Sequence, residues 1–277
     1  MLMRIDLFLG FLGLAVALCL AAHCLRRSRG LRLTDVPWQG NRFGPEVFLS
    51  AVLAYFCGYF IVGSLVGTVG REDPPLRAVL AAGIAAQLAC VATIAVLGSR
   101  GTKGGFGVFF LGEKQARSIS SWAATAAVAV ISLGCIPYLY EFTLWAIHQF
   151  DPSWNMEPHA TLKALSDESQ PRGIVWALWF GAVIAAPLTE EGFFRGVFQT
   201  VLVNAIRSRW AGILGASVLF GLSHAGQPES VPALIVFGIV LGVLYDRTGS
   251  LLLPILVHAL FNLRTLVWHG LVGSTET

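Results

Sequence analysis

The stretch Pro187-Leu188-Thr189-Glu190-Glu191-Gly192-Phe193-Phe194-Arg195-Gly196 decides how the rest of the chain is read. It lies inside an apolar segment, Ile174 to Val203, long enough to cross a bilayer. A charged side chain at the bilayer centre costs roughly 2.5–3.5 kcal/mol on insertion scales. Three such groups this close together need partners or a function. Glu191 and Arg195 are i,i+4 on a helix and can pair. Glu190 points about 100° away from Glu191 and needs a partner elsewhere. Pro187, one turn earlier, removes a backbone hydrogen bond and allows a kink at this place. A structural ion pair steadying the bundle is the competing reading.

The surroundings set the class. Of 277 residues, 55% are hydrophobic and 13% charged, about half the charge of a soluble domain (~25%). The sequence predicts an all-α, polytopic membrane helix bundle of about eight transmembrane helices, a single integral membrane domain. The predicted spans are Leu7–Leu25, Val47–Val69, Ala78–Leu97, Ile119–Ile147, Ile174–Val203, Ala211–Ala225, Ala233–Tyr245 and Leu251–Val267. The sixth and seventh are short for a crossing. Residues 1–172 supply helices and loops without catalytic motifs, and 173–277 form the helix core that carries them. A net charge of +3 is too small to argue for nucleic acid as a partner; the lipid bilayer is the expected one.

Loop charges predict orientation. Arg26, Arg27, Arg29, Arg32 and Arg42 fill the first loop; Arg100, Lys103, Lys114 and Arg117 the third; Arg207 and Arg209 the fifth; Arg247 the seventh. The even loops are poorer, so the positive-inside rule puts the odd loops in the cytoplasm and both termini outside. The five cysteines fall in predicted spans and form no C-x-x-C pair, so neither a zinc knuckle nor a redox motif is indicated. Gly63/Gly67 and Gly238/Gly242 have the spacing that lets helices approach closely. Glu141, His148 and His159 read as interfacial. The polar segment 149–172 reads as a solvated loop with a short helix from His159 to Ser166.

Two later segments offer partners for Glu190. Phe220-Gly221-Leu222-Ser223-His224 ends one apolar run, and His258-Ala259-Leu260-Phe261-Asn262 lies inside the last. His258 and Asn262, i,i+4, face the same way. Taken alone, each histidine reads as a core or interfacial residue and the asparagine as helix–helix glue. Together with the carboxylates, they can converge on one polar pocket.

Glu190-Glu191-x-x-x-Arg195, then Phe220-x-x-x-His224, then His258-x-x-x-Asn262 resemble, in order, the three motifs of the CPBP intramembrane proteases, the CAAX-protease and bacteriocin-processing (Abi) proteins. Tyr245-Asp246-Arg247-Thr248-Gly249-Ser250-Leu251 is also similar to that family. The resemblance covers Ile174 to Asn262. It implies an intramembrane endopeptidase, glutamate- or metallo-type, acting on a membrane-associated or lipidated peptide or protein, with prenylation one form of that lipidation. A peptidase without a nucleophilic Ser or Cys must activate water, which takes a base and oxyanion donors. Glu190 is the expected base, His224 helps hold the water, and His258 and Asn262 donate to the oxyanion. Glu191, Arg195 and Phe220 support them. Glu190, His224 and His258 could instead hold Zn²⁺; H-E-x-x-H is absent, and metal-free chemistry is the slightly preferred expectation. The expected location is a multi-pass place in the membrane (the cell membrane in a bacterium), with the site opening to the cytoplasm or mid-membrane.

Other classes remain open. A transporter or proton relay also uses intramembrane Glu, Arg and His, but no inverted repeat is visible between the halves. An idle binding or immunity protein of the same fold is the third reading. A rhomboid-like Ser223/His258 pair leaves Glu190, Arg195 and Asn262 unexplained.

Overall fold

The structure, a computed structural model, describes residues 2–26, 44–113, 118–156 and 159–273. Arg27, Arg29, Arg32, Arg42, Lys114 and Arg117, on which the loop-charge reading leans, lie outside the described residues. The described residues form helices and no strand. In chain order these are α1 (Leu2–Arg26), α2 (Pro45–Val66), α3 (Leu76–Gly101), α4 (Gly105–Leu111), α5 (Ile119–Phe150) and α6 (Ala160–Leu165). There follow α7, one continuous helix over Arg172–Ile206, then α8 (Arg209–Leu222), α9 (Val231–Thr248) and α10 (Leu252–Gly273).

Local sequence sets several of the ends. Pro45 opens α2, where its missing N–H costs nothing. Ser118 and Ser208 accept hydrogen bonds from the backbone N–H groups of Ser121 and Ala211, capping α5 and α8. Gly67, φ 75°, closes α2 in the left-handed conformation that glycine adopts without strain. Gly67 is therefore a cap, and the Gly63/Gly67 spacing is not the helix-packing stripe expected from sequence. The expected helix in the 149–172 connector is present as α6, capped by His159.

Six helices among the described residues are long and apolar enough to cross a membrane: Pro45–Val66, Leu76–Gly101, Ser121–Phe150, Arg172–Ile206, Pro228–Thr248 and Leu252–Leu271. Two further apolar stretches, Leu7–Cys19 and Arg209–Leu222, are shorter. The protein is thus a multi-pass helical membrane bundle, and six of the eight spans expected from sequence meet this measure among the described residues. At 1.5 Å per residue α8 is about 21 Å long, against a hydrocarbon core of about 30 Å.

The short α8 positions the site. It packs antiparallel along α9, and Arg209 at its start clamps Asp246 near the end of α9 through Nε–Oδ1 (2.8 Å) and Nη2–Oδ2 (2.6 Å). The hairpin tip, residues 223–230, brings His224, Gln227 and Glu229 to the cavity that Glu190 lines from the middle of α7. There the Phe220 and His258 rings lie 5.8 Å apart. α3, α5, α7 and α10 surround the space beyond the tip.

Candidate active site

α7 is interrupted twice, at Gly181–Ala185 and Gly192–Gln199, by turns of π-helix that bracket Glu190 and Glu191. The first has a traceable cause and consequence. Ala186 gives its N–H to the Gly181 carbonyl, five residues back, and Pro187 has no N–H to give. The Ala182 carbonyl loses both of its normal donors. Asn262 of α10 supplies the replacement, Nδ2 to Ala182 O at 2.8 Å. An orphaned carbonyl at membrane depth costs several kcal/mol, so this bond anchors α10 to the irregular turn of α7. One of the two Asn262 N–H groups, expected from sequence to serve an oxyanion, is spent here.

The carboxylates part company as their helical angle demands. Glu191 is 0% exposed and receives Arg195 Nη1 at 3.0 Å. Arg195 Nη2 donates to the Gly238 carbonyl at 3.2 Å, and the guanidinium carbon lies 4.8 Å from the centre of the Phe220 ring. His258 Nδ1 also bonds Glu191 Oε1, at 2.7 Å. Because a carboxylate only accepts, the proton between them belongs to Nδ1. Nε2 then faces Glu190 Oε2 at 3.8 Å. Glu190, with 27% of its side chain exposed, points into the open space. Phe220 holds the set together: it is fully buried and packs edge-on against Phe194, His224 and His258.

Glu190, Phe220, His224, His258 and Asn262 line one cavity of about 950 Å³. Glu191 and Arg195 stand behind its wall. His224 directs Nδ1 to the Phe220 carbonyl (2.9 Å) and Ser223 Oγ (3.2 Å), which leaves its Nε2 for the cavity. Glu141 and His159, read from sequence as interfacial, also line it. His159 feels the charges of both Glu190 and His224. For a metal, the donors Glu190 and His224 share the cavity with His258, but among the described residues no three His, Cys, Asp or Glu side chains are spaced to hold one ion. The set as it stands does not fit zinc, and no chemical step below runs through one.

Residues 172–264 match the family model described as type II CAAX prenyl endopeptidase Rce1-like. That segment is similar to the core of the CPBP/CAAX proteases. An "Uncharacterized 24.3 kDa protein" of Escherichia coli is 37% identical over 109 residues, covering 37% of this chain and 47% of that protein. The chain thus spans about half the length of the curated relative it matches. No solved structure matches. All seven residues quoted from the three motifs of the CAAX-protease core fall inside the matched segment.

Several residues that build or line the core escaped sequence reasoning. Gln199, one turn after Arg195, donates Nε2 to the Gly242 carbonyl at 3.2 Å. The Gly238/Gly242 pair thus presents two bare carbonyls to Arg195 and Gln199, and its role in packing within the bundle is as expected. Arg209 was used only as a topology marker, and its partner Asp246 is 37 residues away with no local signal. Glu229, 2% exposed, lines the cavity from the hairpin tip. Its position in a short polar turn disguised it as a loop residue.

Proposed function

We propose that the protein is an intramembrane endopeptidase in which Glu190 activates water against a peptide bond. The observation that carries this reading is the arrangement Arg195–Glu191–His258–Glu190. Glu191 and Arg195 fix the His258 ring, and the free Nε2 and the Glu190 carboxylate are close enough to share one water. Glu190 takes the water proton as the oxygen attacks the carbonyl carbon, and returns it to the departing amine nitrogen. His224 Nε2 is a further acceptor for that water. His258 donates to the oxyanion from Nε2 only as the imidazolium, and Glu191 is the counter-charge for that state. The second N–H of Asn262 is the other donor. Leu80, Ile84, Ile136, Leu178 and Phe261 give the cavity an apolar wall suited to a membrane-embedded or lipid-bearing peptide.

The cavity wall also includes His159, Thr161 and Leu162 of the 151–171 connector and Gln227 of the hairpin tip. The arginine distribution assigns both loops to the outside. In this reading the site opens from mid-membrane toward the connector's side, and a cytoplasmic mouth and cytoplasmic odd loops exclude one another.

The test is incubation of the purified full chain with paired prenylated and unlipidated peptides, with and without chelator, and mass spectrometry of the products. Chelator-insensitive cleavage is expected. Absence of product from every peptide, with pH-driven flux in reconstituted vesicles, would establish the transporter reading instead.

A further inference from the structure

Glu229 is the group in the cavity that the chemistry above does not use. It sits in a single 3-10 turn, Pro228–Ser230, at the hairpin tip, and α5 packs against that turn. Its side chain is 2% exposed, and what exposure it has is to the cavity. Among the described residues no hydrogen bond or ion pair reaches its carboxylate. Tyr140, which feels its charge, gives its hydroxyl to Met156 Sδ. A buried carboxylate without a partner is costly. Glu191 and Asp246 each have an arginine; Glu229 has open space.

The charge around it is one-sided. Among the described residues, three carboxylates line the cavity, Glu141, Glu190 and Glu229, and one arginine, Arg264. That excess of carboxylates in one cavity favours cations. Glu190 is occupied with the shared water and His258. Glu229 has no such duty, and it stands on the α8–α9 tip while Glu190 stands on α7.

We infer that Glu229 is a specificity residue: it receives the cationic side chain of a lysine or arginine in the bound peptide, beside the segment presented to Glu190. The peptide nature of the ligand rests on the endopeptidase reading; the preference for a cation does not depend on cleavage. Placing a positive head group against Glu229 gives the carboxylate the partner it lacks, while the aliphatic stem lies along the apolar wall. A peptide with an acidic residue at that register is repelled.

The test uses the full chain carrying Glu190→Gln, purified in detergent, so that binding is read without turnover. The probes are fluorescein-labelled hydrophobic nonapeptides with one lysine moved along the chain, each with a norleucine and a glutamate twin. Norleucine keeps the stem and deletes the charge. At one register the lysine peptide should bind at least about tenfold tighter than its norleucine twin, and the glutamate twin weakest, as for a close charge pair. Adding Glu229→Gln should bring the lysine-to-norleucine ratio to within about twofold of unity; Glu229→Asp, which keeps the charge, should retain part of it. Equal affinity of lysine and norleucine twins at every register overturns the inference, and needs no second variant. A ratio that survives Glu229→Gln also overturns it and moves the role to Glu141. Failure of the unsubstituted protein to cleave any peptide would count against the endopeptidase reading alone.

Discussion

The helix α2 and the membrane-spanning segment that contains α9 are both apolar enough to cross a membrane, yet 11% of one is buried within the protein and 44% of the other. On α2, Leu65 is 81% exposed, and Phe60 and Ile61 are more than half exposed. On α9, Gly238 and Gly242 are bare so that Arg195 and Gln199 can reach their carbonyls. Apolarity places a helix in the lipid; it does not say whether the helix faces lipid or protein. Small residues opposite long polar ones mark the inner position, because without side chains the backbones approach closely and a carbonyl becomes available to a neighbour.

The largest effect expected on the inner side is from Arg195→Ala. It leaves Glu191 and His258 buried without their cation and removes the bond to Gly238. Loss of one partner of a buried pair costs about 3–5 kcal/mol, to be seen as a large drop in thermal stability and in the yield of folded protein. Unchanged stability would show that the inner helices do not depend on this pair. Glu190→Gln, on the same helix but facing the cavity, should fold normally and lower turnover roughly 10²-fold or more. Mass spectrometry of products checks it, and a wild-type rate would shift the base to Glu191.

A third contrast lies between glycines. A Cβ at Gly238 would stand 3.0 Å from Ser217 Cβ and 3.1 Å from its Cα, whereas at Gly83 on α3 it meets nothing within 4 Å. Gly238→Val should cost about 1–3 kcal/mol through overpacking, and Gly83→Ala should show no loss in the same melting assay. A smaller, local effect is expected at α6. His159 Nδ1 accepts the Thr161 N–H, and partial desolvation of this largely exposed ring, with the charge of His224 adding, holds its pKa below the ordinary histidine value. The folded segment then binds this proton less readily than the unfolded one, so stability is present above about pH 6.5 and falls as pH drops below it. Hydrogen exchange at residues 160–165 should quicken at pH 5 relative to pH 8. Smallest of all is Leu65→Ala on the lipid face of α2, expected within about 0.5 kcal/mol of the parent; a larger loss would show that α2 has a protein partner.

The sequence by itself determined what depends on neighbours within a turn or on bulk composition. Apolar runs fixed an all-helical membrane protein, since a backbone in lipid must satisfy its own hydrogen bonds. The spacing of Glu191 and Arg195 fixed their pairing, and the three motifs, each on its own apolar run, fixed which side chains meet in a cavity. The tertiary structure alone decided the rest. It gave His258 to Glu191, 67 residues away, and Asn262 to the Ala182 carbonyl, 80 residues away. It turned Glu141, His159 and Glu229 toward the cavity, and it folded α8 back against α9 as a short hairpin arm. The physical reason is that helical periodicity specifies angles within one helix only. The rotation and depth of one helix against another follow from packing, and in α7 two π-helical interruptions reset the angle where the site is built.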